Sequence, residues 1–547
     1  MKKILVVLLA LVIALSLGLS AFAAEKPAPG PKLGDVRVRQ ALLYALDRAS
    51  FINAEYGPEL AEVGMAPISP TSWAFPDSSE LNAYAFDLEK AAALMDEAGW
   101  KLGDDGYRYK DGEKFTIKWL VYTDSPWPGT LSGMAADTWK QLGVDLVIEQ
   151  MDFNTVAART MDAKPGEKDF DIYTMGFSLS IDPDPTGALF DYDAYNEGGF
   201  NASGYFNQES QDLIAKGKSL FTVEERAPIY KEWAKLMNEE VPTVIVAYRN
   251  EIWGVNNRVK GLDQNAYIKW PSLLDKITLE GDQVLKFGET GFDGVFNPVM
   301  SSNVYDGYVV DSVFEGLVTN NAAGEYYGLL ADYELSEDNL TYTFTLKDGI
   351  TFSDGTPMTT ADVAFTYYTI ADKDYTGPRI YAVNPLAGYD EYAAGTADAI
   401  SGIEIVDDKV IKFTVKSAAP SNIEMFIYGI MSKDYYAYET FEDFLAKNDA
   451  PMGSGKMLFE SWAPSEYVNL VKNEKYWNAD AAATVEGVHI TVVPEETKIS
   501  ALQLGQIDFA QTTANKDNVA ALEELENVSL TKYMGNGYTF MCFNTLH

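Results

Sequence analysis

Two carboxylates set between prolines, Asp182-Pro183-Asp184-Pro185, form the most conspicuous polar cluster of the sequence. They follow an apolar and aromatic run, Asp169 to Ser180, that reads as a strand, so both acids fall at a strand end. Carboxylates placed there can hold a cationic group, or a hard metal through oxygen ligands. The same residues suit a proline-stiffened turn in which aspartate accepts local hydrogen bonds. A calcium loop of EF-hand spacing would need further Asp or Asn and a closing Glu, which are missing. Met452-Gly453-Ser454-Gly455-Lys456 puts a lysine after glycine but lacks phosphate-loop spacing, and reads as a tight turn before a strand from Met457 to Phe459. With only His489, His547 and Cys542 available, Ser-His-Asp, Cys-His and multi-histidine metal sites are nearly ruled out. No catalytic residue, metal set or cofactor is assigned. Carboxylate-pair hydrolysis, as in a glycosidase, stays open on composition alone, with cleft-like aromatics as its other support.

The elements around this cluster read as α/β. Strands are expected at 114–122, 143–150 and 169–180, a helix at 134–142, two more helices over 209–237 and a buried strand at 242–248. Asp35 is a natural N-cap for the helix that follows, with Arg37 and Arg39 on its exposed flank. Residues 67–76 read as a loop with exposed Trp73 and Phe75. After Leu262 the pattern shifts to strict alternation at 340–346 and 410–415, with a helix at 360–368, and no repeat links the halves. Two unlike lobes follow from the pattern. Between them, Ile277 and Leu279, then Val284 and Phe287, flank Gly281-Asp282, which predicts a hairpin with a type II′ turn.

Met1 to Ala23 has the lysine start, apolar run and Ala-Phe-Ala end of a secretory signal, and residues 24–30 form a proline-rich linker. No cysteine follows the apolar run, so an exported protein, periplasmic or secreted and not lipid-anchored, is expected. A formal charge of −39 disfavours nucleic acid and anionic membranes as partners. One cysteine permits no intrachain disulfide, and 547 residues predict two or more domains.

Several segments together carry a family resemblance. Phe352-Ser-Asp-Gly-Thr-Pro-Met-Thr-Thr-Ala-Asp-Val-Ala-Phe-Thr-Tyr367 resembles the signature of family 5 extracellular solute-binding proteins. Ala331-Asp-Tyr-Glu334, Pro451 to Lys456, Val471 to Trp477, Ala501 to Asp508 and Asp35 to Arg48 resemble further segments of it. The segments stand in an unusual order. In the family, the segment like 352–367 comes early, and a strand like Tyr538 to Asn544 leads directly into the helix like 35–48. Joining His547 to Pro31 restores that order, so the chain reads as circularly permuted, with the family's usual end and start fused near Gly281.

The resemblance implies an α/β, two-lobed periplasmic-binding-protein-like fold of flytrap type, circularly permuted. The second lobe would span 31–258 and the first 259–547, the latter with an extra subdomain at about 306–450. A single continuous crossing is expected near 250–262. Implied too is capture of peptides in the interlobe cleft by a monomer and delivery to an ABC importer permease. A nickel complex or oligosaccharide is the alternative solute. Gly176, Phe177 and Ser178 match the family's strand that pairs with a peptide backbone. The aspartate that typically receives the peptide ammonium falls at Ser180 or Ile181, so Asp182 or Asp184 would have to substitute. Asn303 and Tyr305 are cleft candidates by position.

Overall fold

The computed structural model describes residues 28–184, 189–196 and 199–547. The expected signal at 1–23 and most of the linker at 24–30 therefore lie outside the described residues. Runs rich in β-branched and aromatic residues, bounded by Gly, Asp and Pro turns, build the main sheet. Its strands are β1 (Thr116–Tyr122), β2 (Asp145–Met151), β3 (Ile172–Ser178), β4 (Thr243–Asn256), β5 (Val284–Glu289), β6 (Met457–Ala463), β7 (Tyr467–Lys472), β8 (Gly487–Val492), β9 (Phe509–Thr512), β10 (Val528–Met534) and β11 (Gly537–Phe543). The main path runs β6-β7-β8-β5-β9-β4-β11-β3-β1-β2, with β10 lying against β4. β1 is parallel to β2 and β3, and β5 is parallel to β8 and β9, the pairings that crossover helices produce. One such helix, Pro126–Leu142, joins β1 to β2 and ends at Gly143 in the left-handed region.

Two hydrophobic cores divide the molecule. One gathers buried side chains from Leu33 to Ile252 together with Val493 to Phe543, and the other those from Trp253 to Ile490 with Phe509. β4 runs through both. Its start, Thr243 to Ala247, pairs with β11, and its end, Asn250 to Asn256, pairs with β10. The chain therefore crosses twice, along β4 and again between β10 and β11 at Gly535-Asn536. This corrects the single crossing expected near 250–262. Gly537–Phe543 lies beside β3, with the strands of residues 31–258 and not with the rest of 259–547.

The hairpin expected around Gly281 does not form. Thr278–Leu279 pairs with Val259–Lys260, and β5 has β8 on one edge and Phe509 of β9 on the other, so neither edge is left for 277–280. Gly281 still turns, at φ +84. Arg258 fastens the turn by donating to the carbonyls of Asp282 at 2.6 Å and Val284 at 2.8 Å. The same guanidinium pairs with both oxygens of buried Asp508 at 2.6 Å.

Residues 306–450 contribute a four-stranded antiparallel sheet, in which Thr341–Leu346 pairs with Ala331–Leu335 and Val410–Thr414. Its alternating residues Tyr342 and Phe344 point inward against Phe426. The helix Thr360–Ile370 starts at a reciprocal capping box between Thr359 and Asp362. This expected extra subdomain shares its core with the strands beside it. Two surface expectations are also corrected. Arg39 is 2 % exposed, because its guanidinium satisfies the carbonyls of Leu33, Gly34, Glu240 and Val241. Trp73 and Phe75 are half-buried, packing on Tyr230 and Tyr248.

Candidate functional site

The sequence Ile172-Tyr-Thr-Met-Gly-Phe-Ser178 is buried over its first four residues and emerges over the last three. The cause is pairing. β11 covers one edge of β3 as far as Ser178, whereas β1 reaches only Ile172 and Tyr173 on the other. From Thr174 onward that second edge has no strand partner. It opens on a cavity of about 750 Å³. Gly176 faces the opening, where an added Cβ would meet nothing nearer than 3.9 Å. Its value is the space it leaves, since nothing about its backbone demands glycine.

The opposite wall of this cavity comes from the other half of the chain, through Glu289, Thr290 and Tyr305. A buried ion cluster stiffens it. Lys498 Nζ lies 3.1 Å from Glu495 and 3.9 Å from Glu289, and donates to the Gln511 carbonyl at 3.0 Å. Burial raises the Glu289 carboxyl above the ordinary glutamate range despite the Thr290 N–H it accepts. Burial also opposes charge on Glu495, but the Thr513 N–H and Lys498 outweigh it and hold that carboxyl lower. Arg249, in β4, stands exposed at the crossing with its guanidinium over the Tyr56 ring at 5.9 Å. It contributes a cation to the cavity lining beside the engaged Lys498.

A second cavity, of about 600 Å³, adjoins the first through Phe177, Ser178 and Asn536, which line both. Asn536 Nδ2 donates to the carbonyls of Leu179 at 3.0 Å and Ser180 at 2.9 Å, fixing the chain between the two spaces. One wall is 177–184. The other is Tyr326, Tyr381, Glu424, Ile427 and Tyr428. Asp182 sits at the rim between them, but both its oxygens are held by Arg226, at 2.7 and 2.8 Å. Arg226 lies against the rings of Trp73 and Tyr230, at 5.4 and 5.2 Å from their centroids. Asp182 N–H reaches across to Glu424 Oε1 at 3.3 Å, and Tyr326 OH donates to the same oxygen at 2.8 Å.

A family model described as bacterial extracellular solute-binding proteins, family 5 middle, matches residues 12–199 and 325–547. The chain belongs to that family. Among relatives of this solute-binding protein, "Oligopeptide-binding protein AppA" of Bacillus subtilis is 27% identical over 232 residues, 42% of this chain and 41% of the relative. "Dipeptide-binding protein" of Escherichia coli is 30% identical over 236 residues, covering 42% of this chain and 40% of the relative. The chain thus spans about 40% of the length of these curated relatives. A solved structure of AppA from Bacillus subtilis in complex with a nonapeptide aligns with TM-score 0.40 and 23% identity, over 45% of this chain and 46% of that one.

In this solute-binding protein Gly176, Phe177, Ser178 and Tyr305 line the larger cavity. Ser180, Asp182 and Asp184 line the smaller one. Asn303 is brought to neither. It caps the helix Val304–Val313, accepting from Asp306 N–H at 2.8 Å and donating to Asp293 at 2.5 Å. Sequence reasoning missed Arg249, Glu424 and the three tyrosines. Arg249 alone carried a signal, as a cation interrupting an apolar strand. Among the described residues no group of three or more His, Cys, Asp or Glu side chains is placed to hold a metal ion.

Proposed function

We propose that this protein captures peptides in the larger cavity by strand addition and delivers them to the permease of an ABC importer. The observation that carries the reading is the unpartnered edge of β3 beyond Tyr173, facing a cavity walled by both halves of the chain. An extended peptide laid on that edge would satisfy its exposed N–H and C=O groups without regard to side chains. Two cores with β4 running through both suit closure around a solute, and closure must return more free energy than it costs to order the halves. Membership of a solute-binding family implies binding without chemistry, and that is the reading we favour. Titration calorimetry with penta-alanine and a form N-methylated at alternate backbone amides tests it. Loss of at least about tenfold in affinity on methylation is expected; equal affinities would overturn strand addition.

The chain order is part of this reading. Gly30 N–H donates to Thr545 O at 2.9 Å and Leu33 N–H to His547 O at 2.8 Å, and Asp171 holds Lys32 at 2.7 Å beside His547 at 3.5 Å. Residues 544–547 therefore run in space into 30–35, which is what a permuted order requires. We read two lobes, with 537–547 counted alongside 31–258, and the pairing of Gly537–Phe543 with β3 supports this. No helix among the described residues is long and apolar enough to cross a membrane. The family is extracellular by its description, and we assign this member to the periplasm or exterior as an unanchored monomer. Its single cysteine, Cys542, is buried in β11, which supports the unanchored reading.

A further inference from the structure

We propose that Tyr267 and Thr71 form a latch that holds the two halves together before any solute arrives, and that Asn536 carries the state of this latch to the open edge of β3. The latch rests on closure of the two halves and not on what the solute is. Thr71 belongs to one half and Tyr267 to the other, and Tyr267 OH donates to Thr71 Oγ1 at 3.2 Å. Beside them the halves touch again at Gly324, where an added Cβ would come within 3.0 Å of the Ile181 side chain and 3.4 Å of the Tyr267 ring. The next residue along, Asp182, sends its N–H across to Glu424 at 3.3 Å. One seam therefore runs from Thr71 to Glu424. On its far side Tyr267 is fixed by its backbone. Its N–H donates to Asn265 Oδ1 at 2.8 Å and its carbonyl accepts from Asn320 Nδ2 at 3.0 Å, while Asn265 Nδ2 donates to the Ala322 carbonyl at 2.9 Å. The ring thus moves with residues 320–325 as one piece.

On the near side Thr71 Oγ1 donates to Asn536 Oδ1 at 3.5 Å, and Ser69 Oγ, 2.9 Å from the same hydroxyl, donates to the Gly535 carbonyl at 3.3 Å. Asn536 stands at the second crossing and is bonded to the exit of β3 three times, through its side chain to the carbonyls of Leu179 and Ser180 and through its own carbonyl to the Leu179 N–H at 2.9 Å. Gly537 keeps it there, since an added Cβ would meet the Phe177 carbonyl at 2.5 Å. Tyr267 and Thr71 themselves line neither cavity. Both are half-buried, and on opening each hydroxyl would find water instead, so their bond favours the closed arrangement by about fivefold and no more. That size suits a bias that a solute then completes. A solute that binds the closed arrangement has its affinity scaled by the closed fraction, so losing the latch weakens binding although no contact to the solute is lost.

Small-angle scattering without solute, and calorimetry with penta-alanine, compare the wild type with Tyr267→Phe, Thr71→Val, the two combined, Thr71→Ser, and Tyr327→Phe as an exposed tyrosine of the same half. Tyr267→Phe and Thr71→Val should each enlarge the solute-free radius of gyration and weaken penta-alanine about two- to fivefold. Combined, they should do no more than either alone, because both remove one hydrogen bond. Thr71→Ser keeps the hydroxyl and should match the wild type, as should Tyr327→Phe. A change that only damaged folding would instead lower the thermal midpoint by several degrees. Amide exchange at Leu179 should quicken in Tyr267→Phe, and unchanged exchange there overturns the part given to Asn536. If penta-alanine binds none of these proteins, the peptide reading fails and scattering alone decides the latch. Unchanged scattering in both Tyr267→Phe and Thr71→Val, or losses that add in the combination, overturn it.

Discussion

Asp182 looks from the sequence like an anionic receiver, and its surroundings make it a structural ion. Its side chain is 10% exposed and that of Arg226 4%, so each desolvated charge depends on the other. Asp182→Asn would leave the guanidinium buried against Trp73 and Tyr230 with no anion. The expected cost is about 3 kcal/mol in urea denaturation, part of it regained by Asp182→Asn combined with Arg226→Met. A stability loss below about 0.5 kcal/mol would show that water already reaches the pair. The cluster was legible because proline brackets it locally. Its partner lies 44 positions on, and Glu424 is one acid among 81 with no local pattern, so tertiary packing alone brings them together.

At the scale of elements, periodicity revealed the strands but not their neighbours. The alternation at 340–346 and the apolar run into Gly176 became strands because side-chain period is a local property. The Gly281 hairpin failed because pairing is competitive: β8 and β9 already occupy β5. Arg39 was misplaced on an exposed flank because four backbone carbonyls, two of them some two hundred residues distant, decide its burial. The same reasoning bears on the proposed permuted order. If 30–35 and 544–547 are continuous in all but covalent connection, the cut can be moved. A chain opened between Gly281 and Asp282, with His547 joined to Pro31 by a short glycine linker, should fold. Arg258 would still hold Val284 and Asp508. Its thermal midpoint should fall within about 4 °C of the original order, since only one loop closure is exchanged for another. Failure of the re-cut chain to fold would remove the permutation reading.

For the whole molecule the dominant fact is charge. A formal −39 repels itself in the compact state, and several buried carboxyls are raised further by burial: Glu289, Asp306, Glu315 and Glu424. Each of these binds its proton more tightly folded than unfolded, so stability increases as pH falls from the raised values toward the ordinary 4.5 of glutamate and 3.8 of aspartate. Below those values the gain is complete. There the opposite group takes over: Asp171, where Lys32 and His547 outweigh burial, and Asp169, bonded to Lys118, are held below the ordinary range. They lose their contribution as they protonate. Calorimetric thermal midpoints should therefore rise from about pH 8 to a maximum at the ordinary carboxylate values, about pH 4 to 4.5, and fall below them. Added sodium chloride should raise the midpoint at about pH 8, where repulsion is largest and most open to screening, and change it little at about pH 5. A midpoint that peaks at neutral pH and ignores salt would mean that paired carboxylates, rather than net repulsion and buried carboxyls, set the stability of this fold.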